Sequence, residues 1–179
     1  MKTILRTTLC YCVVLLAAGG CHLIQDDQFL YTFSDNDRDF LRNAAYLCLG
    51  EIEMGKAAEE MASLKDVRDF AARMHRENTI AWAALDSLAQ SERVQLPDSP
   101  DQARQAMLQY LKTLNGIEFD TVYLNSRVID HQKGILLFSN AQLKSEGEGI
   151  RLFIARYLPR LQEHLDTVTK LRTSIREGL

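Results

Sequence analysis

Few residues interrupt this chain: three prolines and nine glycines in 179 positions. Little therefore opposes long helices. No segment alternates apolar and polar residues as a half-buried strand does, and no internal repeat or low-complexity stretch is evident. Cys-x-x-Cys is absent, as are a glycine-rich phosphate loop and a nucleophile set beside a base. Those absences disfavour dithiol redox chemistry, P-loop nucleotide chemistry and acyl transfer. Basic charge is also short, with 21 Lys and Arg against 24 Asp and Glu. No basic stripe exists to neutralise phosphates, so no nucleic acid partner is expected.

The first twenty residues stand apart from the rest. Lys2 and Arg6 give a basic start, and Leu9 to Ala18 is an apolar run of signal-peptide length, too short to span a bilayer. It ends in Ala18-Gly19-Gly20-Cys21, the small-residue arrangement that a lipoprotein signal peptidase accepts. Residues 1–20 are therefore expected to be a cleaved lipoprotein signal peptide, with Cys21 as the lipidated residue. Residues 21–34 then form a tether and 35–178 the folded domain. Gln25-Asp26-Asp27 resembles the surface-export signals of some lipoproteins, and reads equally as a plain acidic linker. Cleavage removes Lys2 and Arg6, leaving 19 basic against 24 acidic residues and a net charge of −5. It also removes Cys10 and Cys12. With Cys21 acylated, Cys48 stands alone, so no intrachain disulfide forms in the mature chain. Cys48 lies in an apolar helical stretch and reads as a small core residue.

The remainder divides into four long helices and one short one. Ser34, three residues before Asp37, offers a capping arrangement for a first helix running to about Ala62. Ser63 and Asp66 repeat that signature for a second helix running to about Arg93. Pro97-Asp98-Ser99-Pro100 is the clearest break, with Ser99 placed to cap and Pro100 to open a short helix over 100–114. Asn115-Gly116 closes it. A third long helix covers 118–145, where Asp120 reads as a cap or first-turn charge. Glu146-Gly147-Glu148-Gly149 turns into a fourth over 150–176, which Pro159 should kink. Two antiparallel hairpins joined by a long crossover predict an all-α, ferritin-like four-helix bundle with a short crossover helix between helices two and three.

Each long helix carries one polar residue on its apolar stripe. Glu51 falls between Leu47 and Met54, Asn78 between Met74 and Ala81, His131 between Val128 and Ile135, and His164 between Leu161 and Val168. Glu51 is 12 residues before the turn at Ser63 and Asn78 is 15 after it; His131 is 16 before Gly147 and His164 is 17 after it. The four should therefore share one layer at mid-height. Buried polar groups without partners cost a few kcal/mol each, so the layer must pair with something. One reading is a single transition metal ion held by Glu51, His131 and His164. The other is a hydrogen-bond network of Glu51, Asn78, His131 and His164 that fixes helix register. A di-iron centre is disfavoured, because Asp130-His131 and Glu163-His164 are adjacent pairs and no Glu-x-x-His occurs. His75, one residue off the second stripe, reads as a flanking surface residue, and Trp82 and Tyr123 read as packing residues.

Several segments taken together are similar to a known family. They are Gly50-Glu51-Ile52-Glu53-Met54-Gly55, Asp69-Phe70-Ala71-Ala72-Arg73-Met74, Gly116-Ile117-Glu118-Phe119-Asp120-Thr121-Val122-Tyr123, His131 and Leu158-Pro159 through His164-Leu165. Over about residues 35–175 the chain resembles the bacterial envelope family known as domain of unknown function 4142, whose members are described as outer membrane proteins. The resemblance implies a ferritin-like bundle and no established activity. In the family pattern, Asp-His follows the Ala-x-x-Met segment of helix two, and the matching pair here is Glu77-Asn78. If the family's layer binds metal, this member has exchanged a good ligand for a poor one.

The expectation is a lipid-anchored protein of the cell envelope, at the outer membrane on its periplasmic side or at the cell surface. It is expected to be a non-enzymatic binding or structural bundle, with the membrane and another envelope protein as partners. The alternative is a metal-binding or redox bundle built on the mid-layer.

Overall fold

The computed structural model describes residues 33–178, and among them there are five helices and no strand. They are α1 (Asp35–Met61), α2 (Lys65–Ser91), α3 (Gln102–Leu111), α4 (Gly116–Lys144) and α5 (Glu148–Glu177). The expected signal peptide and Cys21 lie outside the described residues. The α1–α2 and α4–α5 hairpins pack together, with α1 beside α4 and α2 beside α5. The short α3 crosses between the hairpins and touches α1 and α4. This is the all-helical bundle that the hydrophobic spacing predicts.

The helix starts show what local sequence decides and what it leaves to the rest of the fold. Ser34 caps α1 as expected, accepting a hydrogen bond from the Asp37 amide at 3.1 Å. Ser63 does not cap α2: the flanking residue is Leu64, which has no side-chain bond to the helix. The donors of that turn are met by Asp120, which reaches across from α4. Its carboxylate accepts from the Ser63 amide (2.9 Å), the Ser63 hydroxyl (2.6 Å) and the Leu64 amide (2.8 Å). Asp120 is therefore a tertiary cap on α2 rather than a cap or first-turn charge serving its own helix. Full burial makes its carboxylate depend on these donors.

The crossover departs from expectation in the same way. Ser99 and Pro100 precede the helix start, and Asp101 is the cap, accepting from the Arg104 amide at 3.0 Å. Asp101 wins because its carboxylate also pairs with the Arg104 guanidinium. Asn115 and Gly116 begin α4 instead of closing α3. Gly116 has φ +56°, a left-handed turn that glycine makes without steric cost. Helix α5 runs through Pro159 without a break.

The buried apolar residues form two clusters, not one. The first gathers Phe40, Leu41, Leu85, Phe138, Phe153 and Ile154, and Cys48 belongs to it as expected. The second gathers Met54, Phe70, Met74, Phe119, Tyr123 and Val168. On every long helix the boundary between clusters falls at the polar position: after Cys48 on α1, between Met74 and Ala81 on α2, between Val128 and Phe138 on α4, and between Leu161 and Val168 on α5. The two cores are stacked with the polar layer between them.

Candidate functional site: a buried charged layer

All four predicted layer residues are buried, with Glu51 and His131 at 1% exposure, His164 at 4% and Asn78 at 7%. Three of them come together and one does not. The His131 and His164 rings meet edge to face with centroids 5.4 Å apart. Glu51 Oε1 lies 3.7 Å from His131 Nδ1. Asn78 turns back on its own helix, donating to the Met74 carbonyl at 2.9 Å, and joins no other member of the layer.

The dominant group in the layer is Arg127, which sequence reasoning missed. It is fully buried, and its Nη1 donates to Glu51 Oε1 at 2.5 Å. Its Nη2 donates to Asp130 Oδ2 at 2.8 Å and to Met54 Sδ at 2.9 Å. The guanidinium also sits 5.8 Å from the Tyr123 ring centroid. Burial alone pushes the Glu51 carboxyl upward, but the charge of Arg127, helped by His131, His164 and Arg104, brings it below the usual carboxylate range. Burial opposes the Arg127 charge in turn, and Glu51 and Asp130 more than restore it. The interior thus holds a formed ion pair, charge-assisted at both ends.

From this pair a line of ionic contacts leads outward on each side. On the crossover side, Arg104 of α3 donates to Asp130 at 3.3 Å, so the short helix is tied to the layer. The close approach needs Gly50, because a Cβ there would overlap the Arg104 Cδ. On the other side, His164 Nε2 lies 2.9 Å from Glu77 Oε2. Arg73 holds Glu77 at 2.8 Å and reaches Glu163 at 2.7 Å. Glu77 is pushed up by partial burial and pulled further down by its bonds to Arg73 and His164. Burial, with His131 adding to it, lowers the pKa of His164.

These bonds fix both imidazole tautomers. His131 Nδ1 faces the Arg127 carbonyl at 2.8 Å, and a carbonyl only accepts, so Nδ1 carries the proton. The Glu77 carboxylate likewise requires the proton on His164 Nε2. His131 Nε2, His164 Nδ1 and Glu51 Oε2 have no hydrogen-bond partner in the protein. A cavity of about 30 Å³ lined by Cys48, Glu77, Asn78, Tyr157 and His164 adjoins the layer. That is room for a water molecule beside His164.

The predicted metal ligands do not fit a metal ion in this arrangement. Among the described residues no group of three His, Cys, Asp or Glu side chains is placed to hold one. The reason is electrostatic: the Glu51 oxygen facing His131 is already taken by a guanidinium. A second cation there would meet the charge of Arg127 inside a low-dielectric core. Cys48 offers no thiolate, since burial and Glu51 push its thiol up to about 12. His75 is half-buried and bonded to Glu59 at 3.1 Å, outside the layer. Trp82 and Tyr123 pack in the two cores as expected.

Arg127 could have been found by spacing. Asp120, Arg127 and His131 are separated by seven and four residues, which puts all three on one face of α4. Glu77 is the first member of the pair that matches the family's Asp-His, and it is the residue that reaches His164.

No curated protein and no solved structure matches the chain. A family model described as Domain of unknown function (DUF4142) matches residues 27–171. With the match spanning most of the sequence, the chain belongs to this family of domains of unknown function.

Proposed function

We propose that this protein is a lipid-anchored component of the cell envelope whose bundle serves as a rigid binding or structural body rather than as an enzyme. The observation that carries the second half is the Arg127–Glu51 pair. The central charges are spent on one another, and the layer locks the register of α1 and α4 while tying down α3. Acid–base or metal chemistry needs such groups open to a substrate, and here they are closed in. The first half is supported by the basic start, short apolar run and Ala18-Gly19-Gly20-Cys21 of the sequence. Among the described residues no helix is long and apolar enough to cross a membrane, so the attachment proposed is the lipid on Cys21. Acyl chains on one cysteine bury enough methylenes to hold the chain at the outer membrane, on its periplasmic side or at the cell surface. There its partner would be another envelope protein.

Fractionation tests this directly. The wild-type chain is expected in the membrane pellet and to incorporate labelled palmitate. The Cys21→Ala chain is expected to lose the label and, when released, to appear in the soluble periplasmic fraction. Palmitate incorporation by the Cys21→Ala chain would overturn the anchor assignment.

A further inference from the structure

The outward face of α4 carries a pattern that the fold leaves unused. Val122, Ile129, Leu136 and Leu143 recur at strict seven-residue intervals. Three of them face away from the core, Ile129 at 50% exposure, Leu136 at 64% and Leu143 at 85%, while Val122, at the start of the stripe, is half-buried against the second cluster. The buried face of the same helix belongs to Tyr123, Arg127, His131 and Phe138. Halfway between the aliphatic positions stand Asn125, Gln132 and Ser139. All seven positions of this stripe are uncharged, although a quarter of the chain is charged.

We infer that this stripe is the seam of a homodimer in which α4 of two copies pairs in parallel and in register. A heptad stripe drifts by about 20° per repeat on a straight helix, so it stays in contact only with a helix that coils around it with left-handed sense. A lone solvent-facing helix has no use for that period. The polar positions select the occupant. In a parallel, in-register pair each aliphatic residue meets its own copy, and so do Asn125, Gln132 and Ser139. Asparagine and glutamine side chains both donate and accept, so each hydrogen-bonds well with an identical mate. An antiparallel pair, or an unrelated apolar helix, would set those amides against aliphatic side chains and leave them unsatisfied.

Size is consistent with a modest but specific contact. A seam of three heptads on one helix per copy is a small contact, at the lower end of the range for specific interfaces. Three polar layers fix register at a cost in strength, so the dimer is reversible.

The test uses the full chain in a non-ionic detergent, with mass measured by sedimentation equilibrium over a concentration series. Two chains per particle are expected at high concentration, and one chain for Leu136→Glu under the same conditions. The exposure of Leu136 should leave the variant's helical content and the cooperativity of its unfolding unchanged, which separates lost pairing from lost folding. Asn125→Cys and Ser139→Cys chains should each cross-link to their own kind on mild oxidation, with the unsubstituted chain as control. A single-chain mass for the wild type would overturn the inference, as would a dimer that survives Leu136→Glu. Cross-linking only between Asn125→Cys and Ser139→Cys chains would overturn the parallel arrangement.

Discussion

Removing Glu51 should be far worse than removing Glu51 and Arg127 together. In Glu51→Gln the Arg127 guanidinium stays at zero exposure and loses the negative charge carried by the oxygen 2.5 Å from its Nη1, an uncharged amide taking its place. Asp130, 2.8 Å from Nη2, then remains as its one carboxylate partner. Breaking a buried pair by removing one side costs about 3–5 kcal/mol, because a charge is left buried and under-compensated. For a domain of this size that corresponds to a fall in Tm of about 6–20 °C. Arg127→Met alone should cost a similar amount, stranding the buried Glu51 carboxylate without its guanidinium. In the Glu51→Met, Arg127→Met double variant no charge is stranded, and the long side chains can bridge the two apolar cores. Replacing a buried pair by packed apolar residues is often neutral or stabilising, so the double variant should be more stable than either single one. Urea unfolding of the four proteins gives the coupling energy. Single variants each within about 1 kcal/mol of wild type, or losses that simply add in the double, would refute the reasoning.

Acid should destabilise the fold in two stages. His164 titrates below its ordinary 6.5, because burial and His131 outweigh Glu77. Between the folded value and 6.5 the unfolded chain binds more protons, so stability falls as pH drops below about 6.5. Glu51 titrates below its ordinary 4.5, Arg127 having overcome burial, so its contribution is present above that value and lost as pH falls through the folded one. Urea midpoints that rose on acidification from about pH 7 to pH 5 would contradict the His164 sign, and midpoints that rose from about pH 4.5 downward would contradict the Glu51 sign. Asp120→Ala removes all three acceptor bonds at the α1–α2 turn, and a loss of about 2–3 kcal/mol is expected in the same assay. Gly50→Ala should push Arg104 away from Asp130 and loosen α3, seen as faster limited proteolysis within 92–115; an unchanged cleavage rate would show that the contact does not hold the crossover. Cys48, with its thiol at about 12, should resist alkylation in the folded protein and react once it is unfolded in urea.

The layer was legible because a polar residue on an otherwise apolar stripe breaks a regular signal. Four such breaks at matching heights fixed the boundary between the two cores. The partners of those residues were harder to read. Arg127 precedes Val128 on the rim of the stripe, where a long cationic side chain ordinarily snorkels to water. Only the presence of Glu51 on another helix turns it inward. Asn78 misled for the converse reason: it lies on the stripe, but its amide finds a carbonyl one turn back and needs no cross-helix partner. Asp120 shows the limit of cap signatures, which look three residues along the chain, whereas the donors it serves are 56 and 57 positions away. The tautomers of His131 and His164 could not be read from sequence, since they follow from which acceptor each nitrogen faces.

The central claim is that the mid-layer is a self-neutralised structural lock and not a metal centre. Metal content per chain tests it most directly, on protein purified without chelator or histidine tag and then loaded with zinc, iron, copper or manganese, with His131→Ala alongside. The account predicts substoichiometric metal in both proteins, with His131→Ala differing only in stability. One metal ion per chain, lost in His131→Ala, would contradict it.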